Sequence, residues 1–232
     1  MDIIGHRGAA GLALENTLES IIAATEAGVD GVEVDVRVTK DKKLVLSHDR
    51  NTGRVSAKTV SINSHSLAAL KKLMLHNGGK MASLGDAYKA AGGTSLVVEG
   101  KDDGWARPLA LFMQRQTKPL HCKVISFNHQ ELYTFSLLMP RVPTYALEKT
   151  KPFDVMHTAK LLGFTGVNLN FWILNPVTYL LAKRYKLEII VYTVDKPWMA
   201  RFLRILYPKI SITTNVPHKM QFLRAKQQPT KS

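Results

Sequence analysis

The stretch DGVEVDVRVTKDKKLVLSHD, residues 30–49, decides the fold. Val32, Val34, Val36 and Val38 alternate with Glu33, Asp35 and Arg37. Alternation with a period of two reads as a β-strand. One expectation is an antiparallel strand with its charged face in water. The other is a strand that points two carboxylates into a buried site. After one polar turn, TKDKK, the apolar piece LVL leads directly to His48 and Asp49.

On either side of this stretch, strands and helices take turns. DIIGH precedes it as a short strand. ENTLESIIAATEAG follows that strand, with Leu18, Ile21 and Ile22 at helical spacing. Asn16 is the expected N-cap of that helix, with Glu19 in capping-box position, and Gly28 is placed to end it. Residues 50 to about 80 are mixed and turn-rich. A helix capped by Ser83 and closed by Gly92 and Gly93 comes next. Six further strands then alternate with helical segments: SLVVEG, CKVISF, VPTYAL, GVNLN, EIIVYTV and ISITTN. The last helical segment is PHKMQFLRAK. Repeated βα units imply a parallel sheet, and eight in a chain of 232 residues predict a (β/α)₈ TIM barrel. The expectation is one domain over 1–232, with a small insertion after the second strand at about 50–82. An open doubly wound sheet is the rival, but the dinucleotide fingerprint is absent.

A barrel assigns each side of the residue 30–49 strand a place. The valines face the helices, and Glu33, Asp35 and Arg37 point inward. Two carboxylates in a low-dielectric interior repel each other unless a cation is shared between them. Hard oxygen ligands favour Mg²⁺ or Ca²⁺ over zinc. Glu99, at the end of the third predicted strand, is a candidate third ligand. The alternative is a salt-bridge cluster in which Arg37 and Lys101 neutralise the acids. His6 and His48 follow strands at the same rim, suited to act as a general acid and base. Arg7 and Lys101 beside them suit phosphate oxygens. The other six histidines read as core or surface residues.

Composition sets limits. The chain is 45% hydrophobic and 22% charged, ordinary for a globular protein. Its single cysteine, Cys122, permits no intrachain disulfide. No secretory signal pattern and no run of about 18 apolar residues occurs, so a cytoplasmic protein without a transmembrane segment is expected. The net charge of +14 is spread along the chain, without zinc-finger or RNA-binding signatures. Specific nucleic-acid binding is therefore not expected. A basic surface suits a small anionic substrate and leaves room for weak association with anionic membranes.

GHRGAAGLALENT (5–17), GVEVDVRVTKDKKLVLSHD (31–49) and VVEGK (97–101) resemble the blocks of the glycerophosphodiester phosphodiesterases. The similarity continues through ISFNHQELYTFSLLMP, VYTVD and ITTNVP, so it spans nearly the whole chain. The resemblance implies a (β/α)₈ barrel that hydrolyses glycerophosphodiesters to glycerol 3-phosphate and an alcohol, using a divalent cation. It implies that His6 and His48 are the acid/base pair and that Glu33, Asp35 and Glu99 are the metal ligands. It further implies that Arg7 and Lys101 bind the phosphoryl group, that Glu15 and Asn16 support the site, and that a glycerol hydroxyl attacks phosphorus to form a cyclic phosphate. The chain departs from the family pattern at Leu14, where proline is usual, and at Gly100, where a branched apolar residue is common. It departs again at Tyr192, where tryptophan is usual, and at Asn215, where aspartate is usual. A lysophospholipase D-like activity is a second expectation, with Phe171, Trp172 and Ile173 as a possible acyl channel; packing or loop anchoring is the simpler reading of those three. A non-catalytic module binding phosphate or anionic lipid is a third.

Overall fold

The computed structural model describes residues 1–116 and 121–224. In chain order the elements are β1 (Ile3–Gly5), α1 (Leu18–Glu26), β2 (Gly31–Val38), β3 (Leu44–Leu46), α2 (Leu67–Leu70) and α3 (Leu84–Ala90). There follow β4 (Ser95–Gly100), α4 (Ala106–Gln114), β5 (Cys122–Ser126), α5 (His129–Leu138), β6 (Thr144–Glu148) and α6 (Pro152–Leu161). The last are β7 (Gly166–Asn170), α7 (Pro176–Tyr185), β8 (Glu188–Tyr192), α8 (Pro197–Leu206) and β9 (Ile210–Thr214). Eight of the strands are parallel, in the order β1-β9-β8-β7-β6-β5-β4-β2, and a β1–β2 pairing closes the ring. The result is the TIM barrel expected from the alternation. β3 is an extra strand, paired antiparallel to the end of β2. TKDKK is the turn of that hairpin.

The valines behave as the parallel pattern requires. Val32, Val34 and Val36 are fully buried in the layer between sheet and helices. A smaller cluster of Ile4, Val97, Ile125, Tyr145, Leu147 and Ile190 fills the barrel interior. A third cluster, Val45, Ile62, Leu70, Leu75 and Met81, lies under the chain between β3 and α3, and Leu14 packs against it. That connection therefore carries a small apolar core of its own.

Two helix ends differ from expectation. The N-cap of α1 is Thr17, in a capping box with Ser20. Asn16 instead adopts φ +56° and turns its amide toward Asp35. Glu19 is left as a first-turn acid, favourable to the helix dipole. The final segment is a 3₁₀ helix, Pro217–Leu223, and the rest of RAKQQPTKS lies beyond the described residues. Pro108 is accommodated in the first turn of α4, where no intrahelical N–H is lost.

Candidate active site

The β2–β4 register sets Asp35 beside Glu99, with Glu33 two residues below on the same face. All three carboxylates are buried, and one oxygen of each lies within 4.8 Å of the others. Burial, reinforced by Asp35 and Glu99, raises Glu33 well above the usual carboxylate range. Burial and Asp35 push Glu99 up to about 7. Burial acts on Asp35 too, but Lys101 and Arg7 overcome it and hold Asp35 down at about 2. Lys101 Nζ lies 2.9 Å from Asp35 Oδ1 and 2.5 Å from Glu99 Oε1. Arg7 Nε lies 3.4 Å from Asp35 Oδ2, and the Arg7 N–H donates to Glu33 Oε2 at 2.7 Å. Asn16 clasps Asp35 from behind, donating from Nδ2 and accepting the Asp35 N–H.

Three buried carboxyl groups converge beside two cations, and Glu33 Oε1 is buried without a hydrogen-bond partner. An unpartnered carboxylate oxygen among converging carboxylates fits a hard divalent cation. The salt-bridge alternative holds only in part, because Lys101 does pair with the acids but Arg37 does not. Arg37 shares their face of β2 yet stands two residues nearer the rim. There its Nε and Nη2 donate to the carbonyl of His48 at 3.0 and 2.6 Å, and it pairs with Asp102.

Each histidine is oriented through Nδ1. Asn215 donates from Nδ2 to Asp195 Oδ2 at 2.7 Å, which leaves its Oδ1 facing His6 Nδ1 at 2.7 Å. An amide oxygen only accepts, so Nδ1 carries the proton and Nε2, 4.0 Å from Glu33, is the free base. Asp195 also accepts from the Asn215 N–H and the Thr214 hydroxyl, which fixes the relay. His48 Nδ1 donates to Asp49 Oδ1 at 2.7 Å. Arg54 then bridges Asp49 to Glu15, and Glu15 holds Arg7 with two contacts of 3.0 Å. Burial and Arg7 lower the proton affinity of His6; burial and Lys101 lower that of His48. The Arg54 hydrogen bond holds Asp49 at about 2, so Asp49 stays ionised beside His48.

The two histidines, Arg7, Glu33, Glu99 and Lys101 open on one cavity of about 170 Å³ at the C-terminal rim. Asp35 lies behind it, with Glu15 and Asn16 as supports. A larger hollow of about 500 Å³ at the other end, lined by Asp2, Lys183, Glu188 and Lys209, contains no histidine. Tyr192 and Asn168 also line the rim cavity, and Asn168 Oδ1 is buried without a partner. The structure adds Asp49, Arg54, Asp195 and Asn168 to the sequence-predicted set. The HD pair at 48–49 was a visible signal for Asp49; nothing local marked the others. Phe171 and Ile173 are half-buried in a 3₁₀ turn, whereas Trp172 is 77% exposed, so this turn forms no enclosed channel.

A model of the glycerophosphoryl diester phosphodiesterase family matches residues 6–99. The chain is 26% identical to a probable glycerophosphodiester phosphodiesterase 1 of Mycobacterium tuberculosis, over 71% of this chain and 70% of the relative. The fold superposes with a TM-score of 0.84 on a glycerophosphodiester phosphodiesterase of Parabacteroides distasonis, at 27% identity and 98% coverage of both chains. A phosphodiesterase of Oleispira antarctica, solved with its product sn-glycerol-3-phosphate, shares the fold at TM-score 0.89 and 22% identity, covering 97% of this chain and 96% of that one. The segment that the glycerophosphoryl diester phosphodiesterase family model matches carries both histidines and all three carboxylates, and over that segment the chain is similar to the family.

Proposed function

We propose that the protein hydrolyses glycerophosphodiesters to sn-glycerol 3-phosphate and an alcohol, with His6 and His48 as the acid/base pair and a divalent cation held by Glu33, Asp35 and Glu99. The observation that carries this reading is the pair of imidazoles, each oriented through Nδ1, opening on one cavity with three converging carboxylates. A module that only binds phosphate needs no oriented proton carriers. Mg²⁺ and Ca²⁺ both suit an all-oxygen donor set, and when bound the cation supplies charge stabilisation at the phosphoryl oxygens.

The chain's own groups divide the remaining work. Arg7 and Lys101 attract and orient the phosphoryl group. One imidazole takes the proton of a glycerol hydroxyl as that oxygen bonds to phosphorus. The other gives a proton to the alcohol oxygen as its bond to phosphorus breaks. Water then opens the resulting cyclic phosphate, with the two imidazoles exchanging roles. Glu15, Asn16, Asp49 and Asn215 hold Arg7, Asp35, His48 and His6 in place.

The test is a panel of glycerophosphocholine, glycerophosphoethanolamine and glycerophosphoglycerol, assayed for glycerol 3-phosphate. Release that chelator abolishes and Mg²⁺ or Ca²⁺ restores is the expected result. A folded, cation-loaded protein that turns over none of the three overturns the proposal.

A further inference from the structure

Helix α8 is apolar on two sides. Ala200 and Leu203 are buried against the barrel. Trp198, Phe202 and Ile205 are 62%, 56% and 79% exposed. Their spacing of four and three residues stacks them on one outward stripe, with Leu206 at its border. A helix hydrophobic on both sides is ordinarily buried on both, yet among the described residues none covers this stripe. The neighbouring α7 repeats the pattern, with Val177 and Leu180 each 63% exposed. Trp172 projects just before α7. Large apolar side chains left exposed along two successive helices mark an interaction surface.

The charge around the stripe selects the partner. Residues 171–224 hold nine lysines and arginines and only two acids, a net +7. Half of the chain's +14 thus falls in 54 of its 232 residues. Both acids are exposed, but each is already paired. Glu188 accepts from the buried Tyr145 hydroxyl at the bottom of the barrel, and Asp195 is committed to Asn215. Lys196, Arg201 and Lys209 are exposed along or beside α8. Two copies meeting over this face would stack cations on cations.

We propose that the outward face of α8 is an interfacial face that lies on an anionic lipid bilayer. Aromatic and aliphatic side chains enter the headgroup boundary while flanking lysine and arginine meet lipid phosphates. Because α8 begins just after β8, whose last residue Tyr192 lines the cavity, the end of the helix that carries Trp198 lies at the same rim as the cavity.

The inference is independent of the hydrolytic reading, since its test measures binding alone. The intact chain is floated with phosphatidylcholine vesicles and with vesicles that also contain phosphatidylglycerol. Binding is expected to the second only, weakening as salt screens the surface. Phe202→Glu/Ile205→Glu, at two exposed positions, is expected to keep the melting temperature and lower the bound fraction by at least about 10-fold. In a Trp172→Phe background, Trp198 is the one exposed tryptophan, and its emission is expected to shift blue on anionic vesicles only. Undiminished binding by the double variant overturns the proposal, as does equal binding to both vesicle types. A dimer broken by the double variant, without vesicle binding, assigns the face to a second copy and overturns it too.

Discussion

Asp49 and Asn215 perform one task with different chemistry, and the difference is testable at single side chains. Asp49 presents an ionised carboxylate to His48, whereas Asn215 presents a neutral amide oxygen to His6. On the proposed mechanism, His6→Ala and His48→Ala each lower kcat by at least about 100-fold, the usual scale for a proton carrier. Circular dichroism melts should show both variants folded, and turnover within threefold of the parent removes that histidine from the mechanism. Asp49→Asn keeps the shape but withdraws the charge that fixes the His48 tautomer, so kcat falls at least about 10-fold while KM changes little. The carboxylates give a pH dependence whose sign is set by their shifts. Glu33 is raised, and Glu99 is raised to about 7, so the metal-free site carries protons that a cation must displace. Cation affinity therefore rises as pH climbs through about 7, with protons released on binding below that point. Calorimetry in two buffers of different ionisation enthalpy reads this release directly; identical heats and affinities at pH 6 and pH 8 would contradict it.

At the scale of elements, two contacts explain positions that a residue-by-residue reading left unexplained. A Cβ on Gly100 would overlap the indole of Trp105, which is fully buried and packs on Phe135 at a centroid distance of 5.8 Å. The glycine at the end of β4 and the tryptophan that opens α4 are therefore one packing unit. A branched residue in place of Gly100 must be accompanied by a smaller one at 105. Gly100→Val is expected to cost about 1–3 kcal/mol by overpacking and to lower the melting temperature by several degrees. Adding Trp105→Leu should recover part of the loss; a double variant worse than the sum of the two singles would refute the pairing. Arg37 is the second case. Alternation along β2 correctly assigned its face but not its partner, because the carbonyl it holds belongs to the turn that follows β3. Arg37→Gln strips two donors from the His48 carbonyl and leaves Asp102 to Arg50 alone. Loss of both stability and kcat is expected, because the same bonds anchor β3 and aim His48.

Across the whole molecule, the fold was legible wherever it depends on periodicity. Eight apolar runs separated by helical segments specify a barrel, and the valines around Glu33 and Asp35 specify which side chains turn inward. The rest of the site lies in bonds between distant segments: Arg54 to Glu15, Asp195 to Asn215, Asn215 to His6. No spacing rule reaches across such separations, so these partners emerge only from the folded ring. Net charge acts at this same scale. If the +14 field draws in an anionic glycerophosphodiester, added salt should lower kcat/KM and leave kcat nearly constant, because screening shortens surface fields to about 8 Å but barely reaches buried groups. A kcat that falls in step with kcat/KM would place the effect inside the site. The pairing of β1 with β9 has a temporal consequence. The three carboxylates sit on adjacent strands complete by Gly100, whereas His6 meets its orienting partner 209 residues later in the chain. During synthesis the acidic cradle precedes the proton carrier's brace by about half the polypeptide. Such a long-range contact is among the slowest for a folding chain to make. Onset of turnover during refolding would thus time the sealing of the last seam, while cation uptake would time an earlier event.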